Sequence, residues 1–112
     1  MNSITLVGNI STDVELRQFE SGTSVAKFNL AVDRLNGETD FFFCETWGKT
    51  AQIVKEYGEK GKLVGVRGRL EFDNWLDKIT GEKRSKPVVK VEQIDLLGRK
   101  KQVDVETEEK VA

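Results

Sequence analysis

Short segments in which apolar and polar residues alternate fill most of this chain and limit it to a few β-rich folds. Alternation with a period of two is typical of a strand that has one buried face. Asn36-Gly37 is a strong hairpin signal, and residues 20–23 and Thr80-Gly81 also indicate turns. The predicted strands cover residues 3–10, 26–32, 39–47, 62–75 and 87–97, and Pro87 suits a strand start.

One segment breaks the alternation and indicates a helix. Between residues 50 and 60, Ala51, Val54 and Tyr57 recur at a spacing of three, which predicts about three helical turns. We expect Thr50 to cap the start of this helix and Gly61 to end it in a left-handed conformation.

The order of these elements predicts the fold class. Three strands, one helix and two strands are the arrangement of the OB-fold, an all-β, five-stranded Greek-key barrel with its helix between the third and fourth strands. A small β-sandwich or an SH3-like barrel is the structural alternative. The single helix after the third strand favours the OB-fold.

Chain length and cysteine content limit the domain organisation. At 112 residues the chain is long enough for one domain, predicted over residues 1–98, and the polar residues 99–112 are predicted to be a disordered tail. The single cysteine, Cys44, excludes an internal disulfide and a zinc cluster, so we expect no metal or other cofactor. Because the chain shows neither a secretory signal nor an apolar run near the roughly 20 residues of a membrane span, we expect a soluble cytoplasmic protein.

The net charge of −1 hides an uneven distribution of charge. Residues 1–77 carry 9 basic and 12 acidic groups, residues 78–101 carry 8 and 3, and residues 102–112 carry 1 and 4. The basic segment is compatible with a nucleic-acid partner and equally with a solvated charged hairpin.

Aromatic side chains occupy both faces of the third predicted strand. Because a small domain has one core, one of the two rows must face solvent, a ligand or a partner. One row comprises Phe41, Phe43, Glu45 and Trp47, and the other comprises Phe42, Cys44 and Thr46.

The fourth predicted strand also leaves an aromatic residue opposite its inner face. Exposed aromatic residues beside arginines on adjacent strands suit the stacking of unpaired bases, with the cations reaching phosphates. A protein–protein interface is also rich in Trp, Phe and Arg and stays the alternative. The predicted inner face is Val64, Val66, Leu70 and Phe72, which leaves Arg67, Arg69 and Trp75 on the opposite face.

The residue types argue against an enzyme. The chain has no histidine, which is the commonest general base. Cys44 occupies an inward strand position, where most cysteines are small core residues, and Glu45 has no carboxylate partner for catalysis. Gly65 and Gly68 lie within a strand pattern and indicate a bulge or a tight bend, not a phosphate-binding loop.

Particular stretches of the sequence resemble bacterial single-stranded-DNA-binding proteins, and the fine pattern is most similar to cyanobacterial members. The resemblance covers about residues 1–98 in order and is therefore more specific than one motif. The matching stretches are ITLVGNI at 4–10, DVELR at 13–17, VAKFNLAV at 25–32, WGKTA at 47–51, YGEKG at 57–61, LVGVRGRL at 63–70, Trp75, TGE at 80–82, SKP at 85–87 and LLG at 96–98.

The resemblance implies an OB-fold homotetramer that binds single-stranded DNA without sequence specificity during replication, recombination and repair. It implies base stacking on Phe41, Trp47 and Trp75, while the strand-face argument adds Phe43, Arg67 and Arg69. The basic residues that the resemblance places along the phosphate path are Arg17, Lys49, Lys60, Lys62, Lys83, Arg84 and Lys86.

Three features depart from the family pattern. The segment 34–38 lacks the tryptophan that many members have there, and Glu71 and Asp73 occupy positions near Trp75 that are often basic. The chain ends in EEKVA without the acidic tip that recruits replication and repair proteins, which leaves such partners open. These departures motivate an alternative, a divergent member that serves as a protein-interaction or RNA-binding module.

Overall fold

Five long strands, one short strand and one helix make up the computed structural model of the chain, which describes residues 1–98. The element between the first two long strands, β2, is short and was absent from the sequence prediction. The elements are β1 Ile4–Ile10, β2 Glu15–Gln18, β3 Ser24–Asp33, β4 Thr39–Trp47, α1 Gly48–Tyr57, β5 Leu63–Leu76 and β6 Lys83–Leu96.

The five long strands close into a ring. Hydrogen bonds connect them in the order β1–β5–β6–β4–β3, and β1 also pairs with β3 through Asn9 with Ala31 and Ile10 with Leu30. All pairings are antiparallel except that of β4 with β6. The helix follows the third long strand. A closed five-stranded ring with this helix position confirms the predicted OB-fold.

Alternating apolar side chains of the strands fill the interior of the ring. The helix closes the core by burying Ala51 and Val54, whereas its other residues stay wholly or partly exposed. This ten-residue helix is the only one among residues 1–98, and no helix there is long and apolar enough to span a membrane. The largest fully buried apolar side chains are Ile10, Leu30, Val54, Val64, Val66 and Val89.

The helix begins and ends earlier than its apolar spacing predicted. It starts at Gly48, so Thr50 lies inside the first turn, and the prediction that Thr50 caps the helix is wrong. Gly58, not Gly61, follows its last residue, and the Gly58 N–H donates to the carbonyl of Val54 at 2.7 Å. Gly61 is left-handed, with φ of +94°, but it belongs to the turn before β5.

The outer parts of β5 and β6 form a two-stranded arm, residues 72–76 and 83–87. These residues pair only with each other, because β1 pairs with β5 no further than Gly68 and β4 pairs with β6 from Val88 onward. Phe72 is therefore 58% exposed, and its predicted place in the core is wrong. Pro87 lies within β6 opposite Phe72, not at the strand start.

A bulge bends β5 and β6 at Gly68, as the glycine pattern predicted. Arg67 pairs with Gln93 whereas Gly68 pairs with Val91, so β6 carries one extra residue at this point. A Cβ atom on Gly68 would overlap the carbonyl group of Lys90, with only 2.9 Å to its carbon. Glycine is therefore required for the close approach of the two strands. The predicted disordered tail, 99–112, lies outside the described residues.

Candidate nucleic-acid interface

The outer side of β4 carries the aromatic row that the strand pattern predicted. Phe41, Phe43 and Trp47 are 64%, 45% and 48% exposed, and Glu45 between them is 8% exposed. The alternate residues of β4 point into the barrel, where Cys44 and Thr46 are buried. We call Phe41, Phe43, Glu45 and Trp47 the β4 face. The prediction that one aromatic row faces away from the core is confirmed.

A predicted cation lies on one of these aromatic rings. The Lys86 ammonium is 4.1 Å from the centroid of the Phe43 ring, which is cation–π geometry. The parallel pairing of β4 with β6 makes this contact possible, because Phe43 pairs with Val88, two residues from Lys86. The structure thus brings together two residues that the sequence predicted separately.

A second aromatic cluster lies at the Trp47 end of the β4 face. The rings of Phe19 and Trp47 are nearly parallel, with an interplanar angle of 14° and centroids 6.2 Å apart. The Arg17 guanidinium is 5.3 Å from the centroid of Phe19. Cross-strand register produces the cluster, because Arg17 on β2 pairs with Val25 on β3, which pairs with Trp47 on β4.

A half-buried ionic cluster separates Phe43 from Trp47. The Lys90 ammonium donates hydrogen bonds to Glu45 and, at 3.2 Å, to Asp73. Partial burial lowers the pKa of Lys90, but its hydrogen bonds to the two carboxylates outweigh that effect and raise the pKa. Two carboxylates and one ammonium thus form the floor of the face, and the charge of Lys90 is compensated locally.

The arm continues the side of the barrel on which the β4 face lies. Trp75 pairs with Arg84, and Asp73 pairs with Lys86, so Trp75 points to the same side of the arm as the lysine on Phe43. Trp75 is half-exposed and lines an open pocket with Arg84 and Lys83. The face and the arm therefore present one continuous surface.

Carboxylates compensate some of the predicted cations. Arg69 donates to Glu71 and, at 2.9 Å, to Glu92, and these hydrogen bonds raise its pKa. Arg84 lies 3.5 Å from Asp77 and 3.4 Å from Glu82. These exposed ion pairs screen the arginines more than they stabilise the fold.

Of the other predicted cations, Lys49 lies near the β4 face, whereas Arg67, Lys60 and Lys62 lie away from it. Arg67, on β5, bonds to Gln93 and pairs with Thr5 of β1. The prediction that the strands of the aromatic row and of the arginines are adjacent is wrong, because β6 lies between β4 and β5. Lys49 is exposed in the first helical turn, close to Trp47 in sequence. Lys60 and Lys62 follow the opposite end of the ten-residue helix, about 15 Å along its axis.

Three residues of this surface were not among the predicted site residues. These are Phe19, which stacks with Trp47, Lys90, which bonds to Glu45, and Lys27, which pairs in register with Glu45. The alternation of β3 indicates that Lys27 points outward, so that signal existed in the sequence. No local pattern connects Phe19 with Trp47 or Lys90 with Glu45.

The buried thiol of Cys44 is a poor nucleophile. Burial raises the pKa of the Cys44 thiol to about 12. A thiol with this pKa is almost entirely protonated at neutral pH and is a poor nucleophile. Within residues 1–98, no cluster of three or more His, Cys, Asp or Glu side chains could hold a metal ion.

Most of the sequence is similar to a protein family and to several named proteins. The profile of a group described as the single-strand binding protein family matches residues 1–97. Single-stranded DNA-binding protein 1 of Nostoc sp. (strain PCC 7120) is 45% identical over 106 residues, which cover 93% of this chain and 89% of that protein. Single-stranded DNA-binding protein 1 of Synechocystis sp. (strain PCC 6803) is 48% identical over 105 residues, or 90% and 87% of the two chains. The single-stranded DNA-binding protein of Thermotoga maritima is 38% identical over an alignment of 119 positions, which covers 98% of this chain and 84% of that protein.

Proposed function

The chain belongs to the single-strand binding protein family, whose members bind single-stranded DNA and are not enzymes, and we propose which of its surfaces does so. Bases stack on Phe41, Phe43 and Trp47 of the β4 face and on Trp75 of the arm. The observation that carries this proposal is the row of exposed aromatic rings on one side of β4. Duplex DNA does not offer the faces of its bases, so stacking selects single strands.

The strand follows the β4 face from the Trp47 end to Phe43 and continues along the arm to Trp75. This path is supported by the side that these residues share and by Lys86, which lies on the Phe43 ring within reach of a backbone phosphate. The ionic cluster of Glu45, Lys90 and Asp73 lies beneath the path, where it repels phosphates and favours bases.

Cations next to the path attract the phosphates. Arg17, Lys49 and Lys86 have no ion pair among residues 1–98 and contribute most. Arg69 and Arg84 contribute less because carboxylates compensate them. Lys83 contributes less because it pairs with Leu76 and points to the side of the arm that carries Phe72, and the remaining proposed cations, Lys60, Lys62 and Arg67, lie further from the path. Each phosphate that a cation neutralises steepens the salt dependence by about 0.7 in log–log slope for single strands, because counterions are released.

A homotetramer, which the family resemblance implies, would place several such paths on one particle and raise the effective affinity. Exposed Val7 on β1, Leu63 on β5 and Leu97, which directly follows β6, provide apolar surface for a second copy. The roles in DNA replication, recombination and repair, and a location in the cytoplasm at the nucleoid, are proposed on the same basis.

Two aromatic residues on opposite sides of the arm test this path. Trp75→Ala is expected to weaken binding to a labelled oligothymidine about 5- to 150-fold, because a stacked base contributes roughly 1–3 kcal/mol. Phe72→Ala is the matched control, since Phe72 is at least as exposed as Trp75, at 58% against 47%, but faces away from the path. Anisotropy titrations at two salt concentrations, with duplex DNA as a competitor, measure both variants. Unchanged affinity of a folded Trp75→Ala variant would contradict the path.

A further inference from the structure

We propose that Phe19 is a base-contacting residue and that Phe19, Trp47 and Arg17 together form one binding site for a single nucleotide of the bound strand. This inference rests on the proposed function, because it assumes that Trp47 stacks a base. It extends that function to β2, the element that no sequence pattern predicted, and to an aromatic residue that the family resemblance did not indicate.

The two rings form one apolar surface. They are nearly parallel, at 14°, and both are partly exposed, Phe19 at 39% and Trp47 at 48%. Their centroid distance of 6.2 Å is within the range of aromatic pairs in contact. The two rings are stacked on one another, and because their centroid distance exceeds the roughly 3.5–4 Å spacing of atoms in contact, they are offset and each keeps part of a face exposed. A base that enters this stack therefore contacts Phe19 as well as the indole.

The backbone fixes the position of Phe19. Its N–H donates to the carbonyl of Thr23 and its carbonyl accepts from the N–H of Gly22, both at 2.8 Å. Gly22 has a φ of +90°, which glycine adopts without strain, so the turn is tight. Both backbone groups of Phe19 are thus bonded before any ligand arrives, so its backbone loses little freedom on binding, and its ring already contacts Trp47 and Arg17. Such preorganisation lowers the entropic cost of association.

Arg17 adds the charge that a nucleotide requires. Its guanidinium lies over the Phe19 ring at 5.3 Å, and it has no ion pair among residues 1–98. Its charge is therefore available to the phosphate of a nucleotide whose base lies on the rings. Arg17, Phe19 and Trp47 line one open groove, whose other charged side chains are Lys27, Glu15 and Glu45. Glu45 bonds to Lys90, and Arg17 has no ion pair with either carboxylate. A stacked aromatic pair beside this arginine matches the two chemical parts of a nucleotide.

The chain has two tryptophans, so Trp75→Phe leaves Trp47 as the single fluorescent reporter of this site. In that background, Phe19→Ala is expected to weaken binding of oligothymidine about 5- to 20-fold, because one partial stacking surface is lost. Phe19→Tyr is expected to restore the parent affinity because the ring is kept. Phe19→Leu keeps most of the apolar volume that supports the turn and is expected to remain weak.

Salt dependence separates the two roles within the site. Arg17→Gln is expected to lower the slope of log affinity against log salt by about 0.7, the value for one phosphate contact on a single strand. Phe19→Ala is expected to lower the affinity with an unchanged slope. Phe72→Ala in the same background is the matched control for removal of an exposed phenylalanine.

The outcomes distinguish this inference from the proposed function. If oligothymidine quenches Trp47 in the parent but Phe19→Ala and Phe19→Leu bind as the parent does, Phe19 is not a contact, and only this inference is overturned. If oligothymidine binds without quenching Trp47, and Trp47→Ala binds as the parent does, both the stacking role of Trp47 and this inference are overturned. If Phe19→Leu binds weakly but has the same melting temperature as the parent, a folding defect is excluded and the result supports the site.

Discussion

Replacing Glu45 by glutamine is expected to destabilise the fold and to strengthen DNA binding. Glu45 is 8% exposed between Phe43 and Trp47, and its carboxylate accepts a hydrogen bond from the Lys90 ammonium. The only other carboxylate bonded to Lys90 within residues 1–98 is that of Asp73, at 3.2 Å. Glutamine keeps the shape of Glu45 and one hydrogen-bond acceptor but removes the negative charge.

The loss of stability follows from the burial of the ion pair. Removing one partner of a buried pair costs about 3–5 kcal/mol, because an uncompensated charge stays behind. Here Asp73 still compensates Lys90, and the glutamine oxygen can accept its hydrogen bond. The expected loss is therefore about 1–3 kcal/mol, the range for a hydrogen bond to a charged group. Each kcal/mol lowers the melting temperature of a domain of this size by roughly 4–8 °C.

Glu45→Gln is expected to raise the affinity for DNA although it lowers the stability, because Glu45 lies beneath the proposed path of the strand. Removing its charge leaves the β4 face more positive by one unit. An interaction of about 1 kcal/mol between a unit charge and a phosphate some 4 Å away in water corresponds to roughly a fivefold gain at low salt. The salt dependence should steepen by up to about 0.7 in slope if Lys90 then contacts a phosphate.

Thermal denaturation and anisotropy titration with oligothymidine at two salt concentrations measure the two effects. Glu56→Gln is the matched control, because Glu56 is an exposed carboxylate on the helix and has no ion pair among residues 1–98. A folded Glu45→Gln variant that binds DNA more weakly than the wild type would refute the assignment of Glu45 to the floor of the path. An unchanged melting temperature would refute the stabilising role of its ion pair with Lys90.

Three further predictions concern the barrel itself. Gly68→Ala is expected to lower the free energy of unfolding, measured by urea denaturation, by roughly 3 kcal/mol or more, because its methyl group would overlap the carbonyl of Lys90. In the control Gly65→Ala the methyl group makes only ordinary contacts, at 3.5 Å or more, so the loss should be smaller. Equal losses would count against the overlap. The Cys44 thiol is buried, and its pKa is raised to about 12, so it should not react with a disulfide reagent at pH 8 until denaturant is added. Rapid reaction of the native protein would disprove its burial. Thr46→Val should lose about 1 kcal/mol of stability, because the buried hydroxyl donates a 2.9 Å hydrogen bond to a β6 carbonyl, and an unchanged unfolding midpoint would show that this bond contributes nothing.

The strands that border the core were predictable because one face of each is buried. The alternation around Phe43 identified both the inward and the outward side of β4. β2 was not predictable, since its four residues are all exposed and Leu16 is the only apolar one. Pairing with β3, not its own pattern, makes it a strand. Phe72 was assigned to the core because alternation does not show where a strand leaves the barrel.

The proposed binding surface was predictable in its aromatic residues and less so in its charges. Phe41, Trp47 and Trp75 are exposed where the strand pattern and the family resemblance placed them. Residue type does not show which cation is already compensated, so Arg69, which is bonded to two glutamates, was indistinguishable from Lys86. These pairings depend on which strands become neighbours, and that information is non-local.

The arm sets the reach of the surface in discrete steps. Its two strands pair with nothing but each other, so its length can change while the register of the barrel stays the same. A strand advances about 3.3 Å per residue and alternates sides. Deleting two residues from each strand would bring Trp75 roughly 7 Å closer to Phe43 on the same side, whereas deleting one would turn the indole to the opposite side. Insertions and deletions in pairs would thus lengthen or shorten the stretch of DNA that one subunit covers, and odd changes would abolish the contact.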